Sequence, residues 1–255
     1  MEDEVLFEVI DGHIALITIN RPDQRNAANL AVRRGLRDCF ERFEREAALR
    51  VAILTGAGEK AFCGGMDLKE LSATGLGVPP RDFLPVIGDN LHVTKPVIAA
   101  VNGVAFAGGW LFAQMCDLCV AAEHATFGIT EAKVGRGMPW AAPLVRMLPQ
   151  RVVMELLLTG NPLSARRAYE LGYVNALVPA DRLRAEAIRT AETIAANAPL
   201  TVRAARELVY LSNEMGRSAG LRAAQHLFER VYLSEDAIEG PRAFAEKRSP
   251  LWTGR

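Results

Sequence analysis

Two glycine pairs offer the chemistry that this sequence can be read for. Ala61-Phe62-Cys63-Gly64-Gly65-Met66-Asp67 and Ala105-Phe106-Ala107-Gly108-Gly109-Trp110-Leu111 share one outline: apolar residues, two glycines, then a segment able to start a helix. Glycine lets bare backbone N–H groups face a ligand. Either pair alone marks no more than a strand-to-helix turn. Brought together, the two turns would present converging N–H donors, a cradle for an oxygen that becomes negative during a reaction.

Each turn needs a strand to deliver it. Residues 51–55 and 96–101 are apolar runs that read as buried strands, and VIAAVNGVAF reads as one strand running up to the second turn. Earlier, LFEVI and HIALITI flank Asp11-Gly12 and predict a β-hairpin. The stretch from Asn20 to Ala27 is a polar loop, and residues 29–50 carry apolar positions at helical spacing. Residues 67–72 open a helix with Asp67 at its N-terminus. Residues 75–80 are rich in Gly and Pro and predict a loop, and 82–91 predict a further helix. Beyond 117 the pattern gives a strand at 118–122, helices at 152–158, 164–171 and 183–196, a short strand in VNALVP, and a mostly helical segment from 200 onward. Pattern alone supports an α/β class.

The 255 residues suit one domain with an appendage, and 50% of them are hydrophobic, enough for a large core. Thirty basic and thirty acidic residues cancel, with no basic tract, so nucleic acid is not an expected partner. No apolar run reaches the roughly 18 residues of a membrane helix, so no membrane partner is expected. The acidic start MEDEVLFEVIDGHIAL lacks a signal-peptide pattern, which points to the cytoplasm. Cys116-x-x-Cys119 has no second pair or histidine pair beside it and reads as part of a buried strand, so no metal is expected. His13, His92, His124 and His226 read as exposed turn or surface residues.

AFCGGMDLKE and KPVIAAVNGVAFAGGWLFAQMCD resemble the two signature segments of the crotonase superfamily, the enoyl-CoA hydratases and isomerases. The likeness runs from ITINRPDQRNAAN to FAEKRSPLWTGR. It implies a spiral of ββα units as a core over 1–198 and a helical oligomerisation region over 199–255. The implied assembly is a homotrimer or a dimer of trimers. The implied ligand is an acyl-CoA thioester, with no cofactor beyond the coenzyme A of the substrate. The resemblance makes the Met66 and Gly108 N–H groups the oxyanion donors and puts Glu131, in ATFGITEAKVGRGMPW, at the position of a catalytic glutamate. It places Arg25 and Ala27 along the adenosine and phosphates. Cys63, Gly64, Gly65, Asp67, Leu68, Gly109, Trp110, Leu111, Pro139 and Trp140 fall around the thioester and acyl group, with Trp110 expected to narrow or cover the pocket. Phe244 and Lys247 match residues that approach coenzyme A bound mainly by a neighbouring subunit. Asp117 matches a structural aspartate.

One departure limits the chemistry. Hydratases with two glutamates carry the second where this chain has Leu111. Two carboxylates can hold a water and pass its protons; leucine cannot. A single base at Glu131 suffices for moving a double bond, and Pro139-Trp140 resembles the 3-enoyl-CoA isomerases. Pro139 also stands where dienoyl-CoA isomerases need an aspartate. Double-bond isomerisation is therefore the expected reaction. Hydration or hydratase-lyase chemistry by Glu131 alone, and a non-catalytic acyl-CoA-binding paralogue, are the alternatives.

Overall fold

The computed structural model describes residues 3–75 and 77–255. Strands β1 (Val5–Ile10) and β2 (Ile14–Ile19) form the expected antiparallel hairpin, with Asp11 and Gly12 both at positive φ in its turn. β2 then pairs in parallel with β3 (Val51–Gly56), β3 with β5 (Val97–Val101), β5 with β7 (Leu118–Ala122), and β7 with β10 (Ala176–Val178). A second sheet of four strands runs β4 (Ala61–Cys63), β6 (Val104–Phe106), β8 (Thr126–Gly128) and β9 (Leu163–Ser164). Its first three strands are parallel.

The chain climbs between these sheets by repetition. β3 hands over to β4 and then to helix α2 (Leu68–Thr74); β5 to β6 and then to α3 (Gly108–Gln114); β7 to β8 and then to α4 (Glu131–Val134). Each unit is a strand in the large sheet, a strand in the small sheet, and a helix. This is the ββα spiral that the sequence resemblance implies.

VIAAVNGVAF is thus two strands, not one. The first half is buried and the second partly so, and the continuous apolar run gave no sign of the corner at Asn102-Gly103. Asn102 makes the corner. Its Oδ1 accepts from Gly56 N at 3.2 Å, and its Nδ2 donates to the carbonyls of Gly56, Gly58 and Ala61 at 2.6–3.1 Å. Those partners lie in the corner between β3 and β4, which Asn26 also fastens: it is fully buried, and its Nδ2 donates to Ala57 O and Ala61 O.

Helix α1 (Leu30–Arg45), capped by Asn29, ends short of the predicted 50. The buried Lys95 ammonium takes the carbonyls of Phe43 and Glu46 at 2.7 and 2.8 Å, closing the last turn. α1 lies against the hairpin strands and α8 (Leu183–Ala195) against the large sheet. The remaining helices are α5 (Leu144–Met147), α6 (Gln150–Thr159), α7 (Ala165–Glu170) with Ser164 as its cap, α9 (Pro199–Glu214), α10 (Arg217–Tyr232) and α11 (Glu235–Ala245).

No helix forms over 82–91. Pro85 has no N–H to give, and Asn90 gathers the segment around its side chain. Asn90 Oδ1 accepts from Val86 N, and Nδ2 donates to Arg81 O and Leu84 O. The expected loop at 75–80 carries no helix or strand where described; Leu76 lies outside the described residues. Asp117 is structural, as expected. It accepts from Val97 N, from Arg206 Nε at 2.8 Å and from the Tyr210 hydroxyl at 2.7 Å, tying α9 to the core.

Candidate active site

Three neighbouring strands deliver the site. Register pairs Cys63 of β4 with Ala105 of β6, and Phe106 of β6 with Gly128 of β8. All three strands run the same way, so Met66, Gly108 and Glu131 emerge from the same edge of the small sheet. In open parallel sheets the ends of the strands are the usual place for a ligand.

The two glycine turns touch. A Cβ on Gly65 would lie 3.8 Å from Gly108 N and 3.0 Å from Phe106 O. Gly65 also sits at φ 103°, a conformation that excludes other residues in practice. Met66 Sδ reaches to 3.5 Å from a Cβ built on Gly108, and Leu84 to 3.8 Å, so both side chains flank the turn. Among the described residues, neither Met66 N–H nor Gly108 N–H has an acceptor. Two unpaired donors on adjoining turns are an arrangement that could receive an oxyanion.

Sequence reading missed the residue that turns the second donor outward. Ala107 has φ 52° and ψ −124°, a left-handed conformation for a residue with a Cβ. Such strain costs about 1–3 kcal/mol and gathers at functional sites. Its N–H donates to Gly128 O at 2.8 Å, which pins the turn to β8.

Glu131 opens α4 and is 7% exposed. Its Oε1 accepts from the Trp140 indole N–H at 3.0 Å, while Oε2 is buried with no partner among the described residues. Burial pushes its pKa above the ordinary carboxylate value, opposed by hydrogen bonds from its own N–H, the Trp140 indole and Thr130 N–H. A proton held or released at Oε2 is what acid–base work requires.

Beside the first turn lies a surface cavity of about 1340 Å³, lined by the loop after β2 and the start of α2, with Arg25, Ala27, Gly64, Met66, Asp67 and Leu68 among its walls. Loop and turn are stitched together: Gly64 N donates to Arg25 O and Ala28 N to Gly65 O, each at 2.8 Å. Arg25 and Asn26 both take left-handed backbone conformations to make this fit. Arg21, not singled out from sequence, donates to Ala27 O at 2.6 Å and to Asp67 Oδ2 at 3.0 Å. Desolvation pushes the Asp67 pKa up, but Arg21 and the N–H groups of Glu70 and Lys69 outweigh it and hold the carboxyl below its ordinary value. Asp67 is thus tied into the wall as the N-cap of α2. Arg25, Arg34 and Lys69 line the cavity without an ion pair among the described residues, leaving positive charge for an anionic ligand.

Residues 10–255 match the family model for enoyl-CoA hydratase/isomerase. This chain belongs to the enoyl-CoA hydratase/isomerase family. It is 37% identical over 254 residues to (E)-benzylidenesuccinyl-CoA hydratase of Thauera aromatica, covering 96% of this chain and 97% of that protein. It is 38% identical to carnitinyl-CoA dehydratase of Proteus mirabilis (strain HI4320), with 96% of each chain covered. Among solved structures, enoyl-CoA hydratase from Mycobacterium tuberculosis H37Rv superposes with a TM-score of 0.91, at 42% identity and 100% coverage of both chains.

Several of the residues expected around the acyl group lie in the core or away from the cavity. Trp110 does not cover a pocket. It is fully buried, packed 5.4 Å from the Phe127 ring and 5.8 Å from that of Tyr173, because α3 turns its bulk into the core. Cys63 is likewise internal: burial lifts its thiol to about 12, outweighing backbone hydrogen bonds at Gly65 and Ala28 and the Arg21 charge. Gly109 has no free face, since its Cα lies against Cys63. Leu111 is 2% exposed. Pro139 is exposed at the head of a short turn that carries Trp140. Phe244 is 89% exposed on α11, and neither it nor Lys247 lines the cavity of its own chain. Cys116 and Cys119 are buried, and no cluster of metal-ligating side chains occurs among the described residues. No helix among them is long and apolar enough to cross a membrane.

Proposed function

We propose that this acyl-CoA enzyme shifts a double bond by one-base proton transfer, with Glu131 as the base. The observation that carries this is a lone buried carboxylate with one oxygen held and one free, beside two unpaired backbone N–H groups, with Leu111 where a second carboxylate would stand. Glu131 takes a proton from C2 of a 3-enoyl thioester, and the electron pair moves into the thioester carbonyl. Met66 and Gly108 N–H groups hold the resulting oxyanion, an interaction worth about 3 kcal/mol per donor. Return of the proton to C4 as the double bond moves to C2–C3 completes a balanced isomerisation.

The unpaired Arg25, Arg34 and Lys69 suit the phosphates of coenzyme A along the cavity, and its edge at Met66 leads to the thioester. Exposed apolar side chains on α9 to α11, among them Val209, Leu221, Tyr232 and Phe244, support assembly as a trimer or dimer of trimers. In that assembly Phe244 and Lys247 would approach coenzyme A held by a neighbour.

A second reading is hydration or dehydration by Glu131 alone. It is favoured by the names of the relatives from Thauera and Proteus, a hydratase and a dehydratase. One experiment separates the two: incubation of 2-enoyl-, 3-enoyl- and saturated acyl-CoA thioesters in deuterated water, followed by mass. Deuterium at C2 or C4 without the mass of water supports isomerisation. A hydrated product supports the second reading. Thioester binding without exchange or turnover would point to a non-catalytic acyl-CoA-binding protein.

A further inference from the structure

We propose that Trp140 is the positioning residue of the Glu131 carboxylate: its indole N–H holds Oε1, so that Oε2 alone carries the transferred proton, and Gln114 anchors Trp140 from α3. The inference rests on Glu131 being the acid–base.

A glutamate side chain has three rotatable bonds, and a base that wanders by an ångström loses much of its rate. Among the described residues Glu131 has no ion pair to fix it. Its Oε1 accepts from Trp140 Nε1 at 3.0 Å, and its Oε2 is buried and unpartnered among the described residues. The two oxygens are therefore inequivalent before any ligand arrives.

Trp140 is in turn held from behind. Gln114, 5% exposed, donates through Nε2 to Trp140 O at 2.9 Å. Gln114 ends the same helix whose first residue is Gly108. One rigid seven-residue helix thus carries an oxyanion donor at its start and the anchor of the base's partner at its end. Fixing both to α3 fixes the spacing between the base and the oxyanion cradle. Trp140 is half-buried, so its ring also shields the carboxylate from water.

The test uses the full chain with ¹⁵N-labelled tryptophan. The chain has three tryptophans. The other two indoles are set apart: Trp252 donates to Ala196 O, and Trp110 Nε1 has no acceptor among the described residues. One indole N–H signal is expected to move with pH in a single step, and to stop moving in Glu131→Gln. In Trp140→Phe that signal disappears. On a turned-over substrate kcat falls about tenfold or more with KM little changed, and the acidic limb of the pH–rate profile moves to higher pH. Gln114→Met should give a smaller fall in kcat and broaden the same signal. An indole spectrum indifferent to both pH and Glu131→Gln overturns the proposal, as does a Trp140→Phe enzyme with an unchanged pH profile. Should Trp140→Phe not fold, the comparison of wild type with Glu131→Gln decides alone. Absence of turnover on every thioester would count against the functional reading, yet the indole titration would still report on Trp140 and Glu131.

Discussion

A Cβ placed on Gly109 would lie 2.0 Å from the carbonyl oxygen of Cys63, so α3 rests directly on the end of β4. At Gly108, one residue earlier, a Cβ meets nothing closer than Met66 Sδ at 3.5 Å, an ordinary contact. Adjacent glycines thus answer to different demands. Gly109 is required by packing between two backbones, which cannot yield as a flexible side chain could.

Gly109→Ala is therefore expected to destabilise by about 3 kcal/mol or more, or to prevent folding, while Gly108→Ala stays within about 1 kcal/mol of the parent. Gly108→Ala should still lower turnover, because its methyl sits beside the oxyanion N–H. Urea midpoints for both variants, with a thioester assay for the second, check this. Equal loss of stability in the two would contradict the assignment.

Ala107 gives a prediction of opposite sign. Its left-handed φ costs an alanine energy that glycine would not spend. Ala107→Gly is expected to hold or raise stability by up to about 1 kcal/mol, since relief of strain competes with the greater freedom of glycine in the unfolded chain. Turnover should fall, because the peptide that aims Gly108 N–H loses its constraint. A melting temperature that drops by many degrees would show that the alanine methyl, 3.1 Å from a Cβ built on Gly65, matters more than its φ.

Much of this was open to reading in the sequence. The hairpin, the Asp67 cap and the paired glycine turns were visible because each depends on local rules of turn and cap chemistry. The missed features depend on tertiary partners. Asn102 looks like any polar residue in an apolar run until its four hydrogen bonds to the β3–β4 corner are seen. Asn26 lies in a loop that reads as solvated and is wholly buried. The 82–91 segment has helical spacing, but Asn90 and Pro85 divert it. Trp110 was assigned to the pocket by its place in the motif, and only the direction of α3 sends it into the core. Gln114 carried no signal at all, since its single useful contact is with a carbonyl 26 residues away.

The protonation of Glu131 links the site to stability. Its folded pKa is raised, chiefly by burial, above the ordinary value of 4.5 expected in the unfolded chain. Between those two values the folded state binds more protons than the unfolded state, so stability falls as pH rises through that window. The contribution is complete below the unfolded pKa and gone above the folded one. Glu131→Gln cannot titrate, so it lacks this slope. The stability of wild type minus that of Glu131→Gln should fall as pH climbs from the ordinary carboxylate range through the raised folded pKa, then level off. Turnover in Glu131→Gln should be about 10²–10⁴-fold lower above the acidic limb, and the gap should narrow as wild-type Glu131 becomes protonated at lower pH. Paired denaturant titrations at several pH values measure the first quantity. A difference that stays flat, or rises with pH, would mean that the Glu131 carboxylate is better stabilised in the fold than its burial and its unpartnered Oε2 indicate.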